Sequence, residues 1–355
     1  MSTQELVGRE AELEEFEHFL QRAAETSHTL QIEGAAGMGK TALWLHGVAG
    51  ARNRAHVVLT ARPVEIETKL SFAGLADLLE PVLDDVLPGL PEPQRRALEV
   101  ALLLAPAHAT PDQRAVAVAF LGALRVLARD RQVLVAIDDL QWLDSSSHQV
   151  VTFAARRLGP EAVGFLLTRR VGNGDRSEQP FERLMPEERS TRIELGPLGL
   201  TALQHLIEAD LGNPIPRPLL RRIQQVSGGN PFFALEQARA LGAAGLNLDA
   251  GPELPVPPTL RSLVQDRLAA IAGRERDVLL AVAALASPSR QLLVAYAGAL
   301  DNGWPPLTEA FEAGIVEVVQ GQVRFTHPLL GSILYADTPL PVRQERPTPE
   351  LQPKW

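Results

Sequence analysis

Cysteine is absent from all 355 residues. That excludes disulfides, zinc–thiolate sites and thiol nucleophiles together. Long apolar runs are missing as well. A membrane span needs roughly 18–20 consecutive apolar residues, and the nearest run, Val100 to Ala107, is far too short. The N-terminal stretch MSTQELVGREAELEEF has no basic segment followed by an apolar core, so it does not read as a signal peptide. An excess of positive charge is lacking too: the formal net charge is −9. This argues against a chain whose main work is coating nucleic acid. No internal repeat is found. Together these absences lead to the expectation of a cytoplasmic protein with no membrane partner.

What is present is ordinary globular material, 45% hydrophobic and 22% charged, enough to bury real cores. The length predicts two or three domains. Residues 10–25 carry Leu13, Phe16 and Leu20 at helical spacing. Strands are predicted at 28–33, 55–60, 132–137 and 163–168, with helices at 41–49, 70–87, 93–104 and 112–129. Strands alternating with helices imply βαβ units and a parallel sheet. After about residue 195 the strand pattern stops. Helices are predicted at 200–212, 216–226 and 231–242, then a Pro/Gly-rich linker from Gly251 to Pro258. Three more helices are predicted over 259–300. Two short strands, Ile315–Val319 and Gln322–Phe325, suggest a winged-helix domain. Residues 339–355, Pro-rich and polar, are expected to be disordered. The expected organisation is a core over 1–195, a helical segment over 196–250, a winged-helix-like domain over 251–338 and the tail.

Two motifs carry chemistry. Gly34-Ala35-Ala36-Gly37-Met38-Gly39-Lys40-Thr41 matches G-x-x-x-x-G-K-[ST], between a strand and a helix. A triphosphate is a dense negative charge, so such a loop wraps it with backbone N–H groups. Glycines permit that close approach. Lys40 would place a cation between the β- and γ-phosphates and Thr41 would offer a hydroxyl to Mg²⁺. The helix dipole points its positive end at the phosphates. The expected cofactors are ATP and Mg²⁺. The second motif is Val133 to Asp139, a buried strand ending in two acids. In P-loop NTPases the first acid holds Mg²⁺, a role that falls to Asp138. Asp139 would orient or deprotonate the attacking water.

Two further features have modest readings. Asp144, or a serine after it, is expected to cap the next helix. The strand at 163–168 ends in Thr168-Arg169-Arg170, where a polar group can reach the γ-phosphate. Arg169 is the preferred sensor there; a surface arginine pair is the alternative.

Together with these motifs, Val7-Gly8-Arg9-Glu10, Phe72-Ala73-Gly74-Leu75, Asp138-Asp139-Leu140-Gln141-Trp142-Leu143-Asp144, Gly229-Asn230-Pro231-Phe232-Phe233 and Arg324-Phe325-Thr326-His327-Pro328 occur in order. As a set they resemble the ATPase region of the large ATP-binding LuxR-type transcriptional regulators. Those belong to the STAND class of signalling NTPases, relatives of the AAA+ group. The resemblance covers roughly residues 5–337. It implies an α/β P-loop NTPase followed by a helical lid and a winged-helix domain. It also implies that Val7, Gly8 and Arg9 lie near the adenine and ribose and that Pro231 packs on the adenine. His327 would be either a nucleotide contact from the winged-helix domain or a structural histidine. Pro231 has a plainer reading as a proline at the first position of a helix.

Regulators of that family continue through a helical-repeat region to a LuxR-type helix-turn-helix. Neither element is found in residues 339–355, and the winged-helix segment has no basic cluster. Direct DNA binding by the residues given is therefore not expected. The leading expectation is an ATP-binding regulatory switch with slow hydrolysis, linked to transcription and working with a protein partner or by self-association. An AAA+-type motor and a nucleotide-binding module without catalysis stay open as alternatives.

Overall fold

The computed structural model describes residues 6–106, 112–171 and 185–243, and parts of 261–338. The expected linker Gly251–Pro258, His327 and the tail 339–355 lie outside the described residues. The chain divides into two compact units at Gly196–Pro197.

The first unit is a parallel sheet of five strands: β1 (His28–Gly34), β2 (Val57–Ala61), β3 (Val133–Ile137), β4 (Val163–Arg170) and β5 (Ser190–Glu194), in the order β2-β3-β4-β1-β5. β1, β3 and most of β4 are buried along their length, as near-continuous apolar runs should be when both faces are covered. α1 (Glu10–Glu25) and α2 (Lys40–Asn53) cover one face. There Phe16, Phe19 and Trp44 pack on Leu30, Ile32 and Leu166. The other face is covered by α3 (Ala73–Leu79), α4 (Leu83–Val86), α5 (Glu92–Ala101), α6 (Gln113–Leu127) and α7 (Ser145–Ala155). There Phe120, Leu124 and Val151 share a core with Val135, Phe165 and Leu167.

Side chains alternate between faces along a strand. In β4, Leu166 points to the α1–α2 face, so Thr168 and Arg170 do as well. Phe165 and Leu167 point to the opposite face, and so does Arg169. β4 lies between β1, which carries the phosphate loop, and β3, which carries the two acids. Its end is therefore central to anything bound at the carboxyl edge of the sheet.

Three local outcomes differ from the sequence expectations. β5 was not expected as a strand: only Ile193 among its five residues is buried, because it is an edge strand paired to β1 alone. The predicted helix 70–87 breaks into α3 and α4, separated by a tight 3₁₀ turn at Glu80–Val82. Pro81, which has no N–H to continue the helical ladder, causes the break. A helix over Pro328–Asp337 was not anticipated either.

The second unit contains α8 (Leu200–Leu211), α9 (Arg217–Ser227) and α10 (Pro231–Ala243), where helices were expected. Arg239 of α10 donates two hydrogen bonds to Asp210 of α8, at 2.8 and 2.7 Å. The described residues further along form α11 (Gly273–Leu285), α12 (Thr308–Glu312), the antiparallel hairpin β6 (Val316–Val319) with β7 (Gln322–Phe325), and α13 (Pro328–Asp337). Their shared core includes Leu279, Val282, Ile315, Val323 and Ile333.

Candidate functional site

β1 ends at Gly34, and after five intervening residues α2 begins at Lys40. Gly39 precedes the helix with φ 92 and ψ 17, left-handed backbone that favours glycine. A Cβ at Gly39 would meet nothing within 4 Å, so the loop is open on that side. Gly34, in contrast, lies against the residue that follows β5: a Cβ there would stand 3.2 Å from Leu195. The first N–H groups of an α-helix have no partner inside the helix, so a helix N-terminus directly after such a loop suits a phosphate.

Lys40 is buried. Its Nζ donates to the carbonyls of Gly34 and Ala35 at 2.8 and 2.9 Å. Burial pushes its ammonium down to about 8; Arg170 adds to the fall, while Asp139 and Asp138 pull the other way. A lysine so desolvated gains a strong partner when an anion enters the loop.

Thr41 Oγ1 lies 3.4 Å from Asp138 Oδ1. The same carboxylate oxygen accepts a 2.6 Å hydrogen bond from Thr168 Oγ1, and Thr168 Oγ1 in turn accepts from the backbone N–H of Asp139 at 2.7 Å. Asp138 and Thr168 are both buried. The Thr41 hydroxyl and the Asp138 carboxylate thus stand together as hard oxygen donors that fit Mg²⁺, and Thr168 holds the carboxylate in place. Among the described residues no group of three or more His, Cys, Asp or Glu side chains could hold a metal ion. A cation here would complete its shell with phosphate oxygens and water, the usual habit of Mg²⁺.

Asp139 leaves the strand with φ 49 and ψ 55, a left-handed conformation that Asp tolerates. Its carboxylate receives Gln141 Nε2 at 2.9 Å and both Nε and one terminal nitrogen of Arg170, each at 3.2 Å. Gln141 also accepts the backbone N–H of Arg170 at 3.2 Å. Burial raises the carboxyl pKa, but the hydrogen bonds from Gln141 and Arg170, with the charges of Arg170 and Lys40, outweigh it and hold the group below its ordinary value. Arg62, just past β2, sits 3.6 Å from the other oxygen of Asp138 and over the Trp44 ring.

Arg169 is elsewhere. It lies on the opposite face of the sheet, with Nε 3.4 Å from Glu33, and strand alternation forbids it the side of Asp138. Arg169, the expected sensor, thus meets neither acid, whereas its neighbours do: Thr168 touches the first and Arg170 the second. Sequence reasoning singled out neither, nor Gln141 nor Arg62. The hydroxyl in Thr168-Arg169-Arg170 was the available signal.

Arg9 is buried and donates to the carbonyls of Met38 and Gly196 at 3.0 and 2.8 Å, and to Glu12 at 2.8 Å. The Val7–Arg9 segment is therefore tied to the phosphate loop. Asp144 caps α7 through Ser147 N at 2.9 Å, as expected, and also accepts the N–H groups of Phe72 and Gly74. In the second unit, Pro231 is the first residue of α10, with Asn230 Oδ1 accepting from Phe232 N and Phe233 N. Gly229, at φ 78, fits where a Cβ would stand 2.7 Å from Pro197.

Comparisons with known proteins agree with the first unit. Residues 5–167 match the family described as the AAA ATPase domain. The Walker-type ATPase PABY2304 of Pyrococcus abyssi is similar in structure, with a TM-score of 0.58 at 14% identity over 92% of this chain and 95% of that one. The ORC2 protein of Aeropyrum pernix, solved in ADPNP–ADP complexes, gives 0.52 at 17% identity over 92% of each chain. Curated protein sequences give no match. At these identities the solved structures speak for the fold alone. Residues 5–167 thus match an AAA ATPase domain, and the parallel sheet around the phosphate loop has the fold of a P-loop NTPase.

Proposed function

We propose that this chain is a nucleotide-dependent regulatory switch that binds Mg·ATP in the first unit and hydrolyses it slowly. The observation that carries the reading is the meeting of Lys40, Thr41, Asp138, Thr168 and Asp139 at one edge of the sheet. Lys40 would leave the carbonyls of Gly34 and Ala35 to pair with the β- and γ-phosphates. Thr41 and Asp138 would hold Mg²⁺, which when bound supplies charge neutralisation at the transferring phosphoryl group. Asp139 would orient water and take its proton. The match to the AAA ATPase domain supports ATP as the nucleotide.

The finer reading follows the resemblance to LuxR-type STAND regulators. The helices α8–α10 would be the lid, Pro231 would pack on the adenine, and the segment after it would be a winged-helix switch domain. Val7, Gly8 and Arg9 would border the ribose and adenine. The Arg9 bonds to Met38 and Gly196 support that placement, since they fix the segment beside the loop. Exchange of ATP for ADP would change the arrangement of lid and core and so signal to a partner in transcriptional control.

Titration of ATP and ADP, with and without Mg²⁺, into the wild type and Lys40→Ala tests the reading. The wild type should bind both nucleotides, with ATP strengthened by Mg²⁺, and Lys40→Ala should bind ATP at least tenfold more weakly, the factor that about 1.4 kcal/mol represents. Equal binding by the two proteins would refute it.

A further inference from the structure

Arg170 is a half-exposed cation at the end of β4, and both nitrogens on one edge of its guanidinium contact Asp139. The contact is two-point: Nε meets one carboxylate oxygen and a terminal nitrogen meets the other. Gln141 adds a third donor to the first oxygen and accepts the Arg170 backbone N–H. The Asp139 main-chain N–H is held by Thr168. Both oxygens of the acid are therefore occupied by donors, on a residue whose backbone is fixed as well.

We propose that Arg170 is a positioning residue that restrains hydrolysis: in the resting site it clamps Asp139, with Oδ1 taken by two donors and Oδ2 by one, so that the carboxylate is held in a fixed orientation and is a weaker acceptor for water. The proposal rests on Asp139 serving as the water-orienting acid. The physical basis is that a carboxylate already engaged by a planar guanidinium fork is held in that orientation, and each bond it accepts lowers its power to accept another and its affinity for a proton. Arg170 is about half exposed, so the clamp is weak enough to open. A half-exposed pair of this kind shifts an equilibrium by only a few-fold, which slows turnover without abolishing it. Arg62 stands near Asp138 at a longer 3.6 Å and makes no two-point contact, so the restraint is assigned to Arg170.

The test is single-turnover hydrolysis of saturating Mg·ATP by the full chain, with ATP affinity measured alongside. Arg170→Ala should hydrolyse bound ATP about fivefold faster with unchanged ATP affinity, the ceiling expected for a pair of this exposure. Arg170→Lys, a point charge without the fork, should fall between the two. The gain should vanish in Asp139→Asn/Arg170→Ala, which shows that it runs through the acid. Raising KCl should speed the wild type by screening the pair and leave Arg170→Ala unchanged. An Arg170→Ala rate at or below wild type with ATP still bound would overturn the clamp and give Arg170 a role in stabilising the transition state. Failure of the wild type to bind ATP at all would instead overturn the function proposed above. Should Arg170→Ala not fold, the lysine variant and the salt series decide: a lysine rate equal to wild type, or a wild-type rate that does not rise with KCl, would overturn the clamp.

Discussion

Replacing Thr168 with valine removes one oxygen from the centre of the sheet and keeps the side-chain volume. Thr168 is fully buried. Its hydroxyl donates to Asp138 at 2.6 Å and accepts from Asp139 N at 2.7 Å. Losing a hydrogen bond to a charged acceptor costs about 1.5–3 kcal/mol, and an orphaned buried N–H costs about 1–3 kcal/mol. Because valine fills the same space, no cavity adds to the loss. The two costs overlap, so Thr168→Val should lose about 3 kcal/mol in urea unfolding without nucleotide. Thr168→Ser keeps the hydroxyl and drops one methyl, and should lose about 1 kcal/mol. A double-mutant cycle with Asp138→Asn should return a coupling of at least about 1 kcal/mol, since the pair share one bond. A valine loss under about 0.5 kcal/mol, or valine and serine alike, would refute the idea that this hydroxyl joins β4 to the two acids.

Two other perturbations test different parts of the first unit. A Cβ on Gly74 would stand 2.2 Å from Leu143 Cδ1, so Gly74→Ala should lose about 1–3 kcal/mol from overpacking, whereas Gly159→Ala, with nothing within 4 Å, should lie within about 0.5 kcal/mol of wild type; equal losses in urea would refute the packing argument. His148 is held by burial at about 4, against an ordinary 6.5, with Asp144 pulling weakly upward. Between those values the unfolded chain binds a proton that the folded chain refuses, so stability falls as the pH drops from 6.5 towards 4. The loss amounts to roughly 3 kcal/mol for a shift of this size. His148→Asn should flatten that part of the urea midpoint–pH curve, and an unchanged slope would show that other groups carry it.

The alternation of strand and helix was legible because β1, β3 and β4 are buried on both faces and so read as unbroken apolar runs. β5 was not legible for the same reason reversed. As an edge strand it offers a buried side only to Ile193, and a single apolar residue sets no period. Helices 200–212, 216–226 and 231–242 were placed within a residue or two at each end. Gly212 and Gly228 stop α8 and α9 in left-handed backbone, and Pro231 opens α10, so their limits are written in residues with strong local preferences. The break in 70–87 depended on Pro81, whose missing N–H counted for more than the apolar spacing around it.

The site divides along a similar line. The phosphate loop and the acid pair are contiguous in sequence, so their chemistry could be read directly. Which residue at the end of β4 meets the acids depended on which way a buried strand faces. In β4 the residues on both faces are apolar up to Leu167, so the hydrophobic pattern gives no parity, and choosing among Thr168, Arg169 and Arg170 required the pairing of Glu33 with Arg169 in the register. Once β4 is set between β1 and β3, parity does the rest. The odd residue, Arg169, goes to Glu33, and the even residues, Thr168 and Arg170, go one to each acid. A short threonine beside Asp138 and a long forked cation beside Asp139 also differ in reach. The hydroxyl is short and fully buried against Asp138, whereas the guanidinium reaches Asp139 from a place half in solvent.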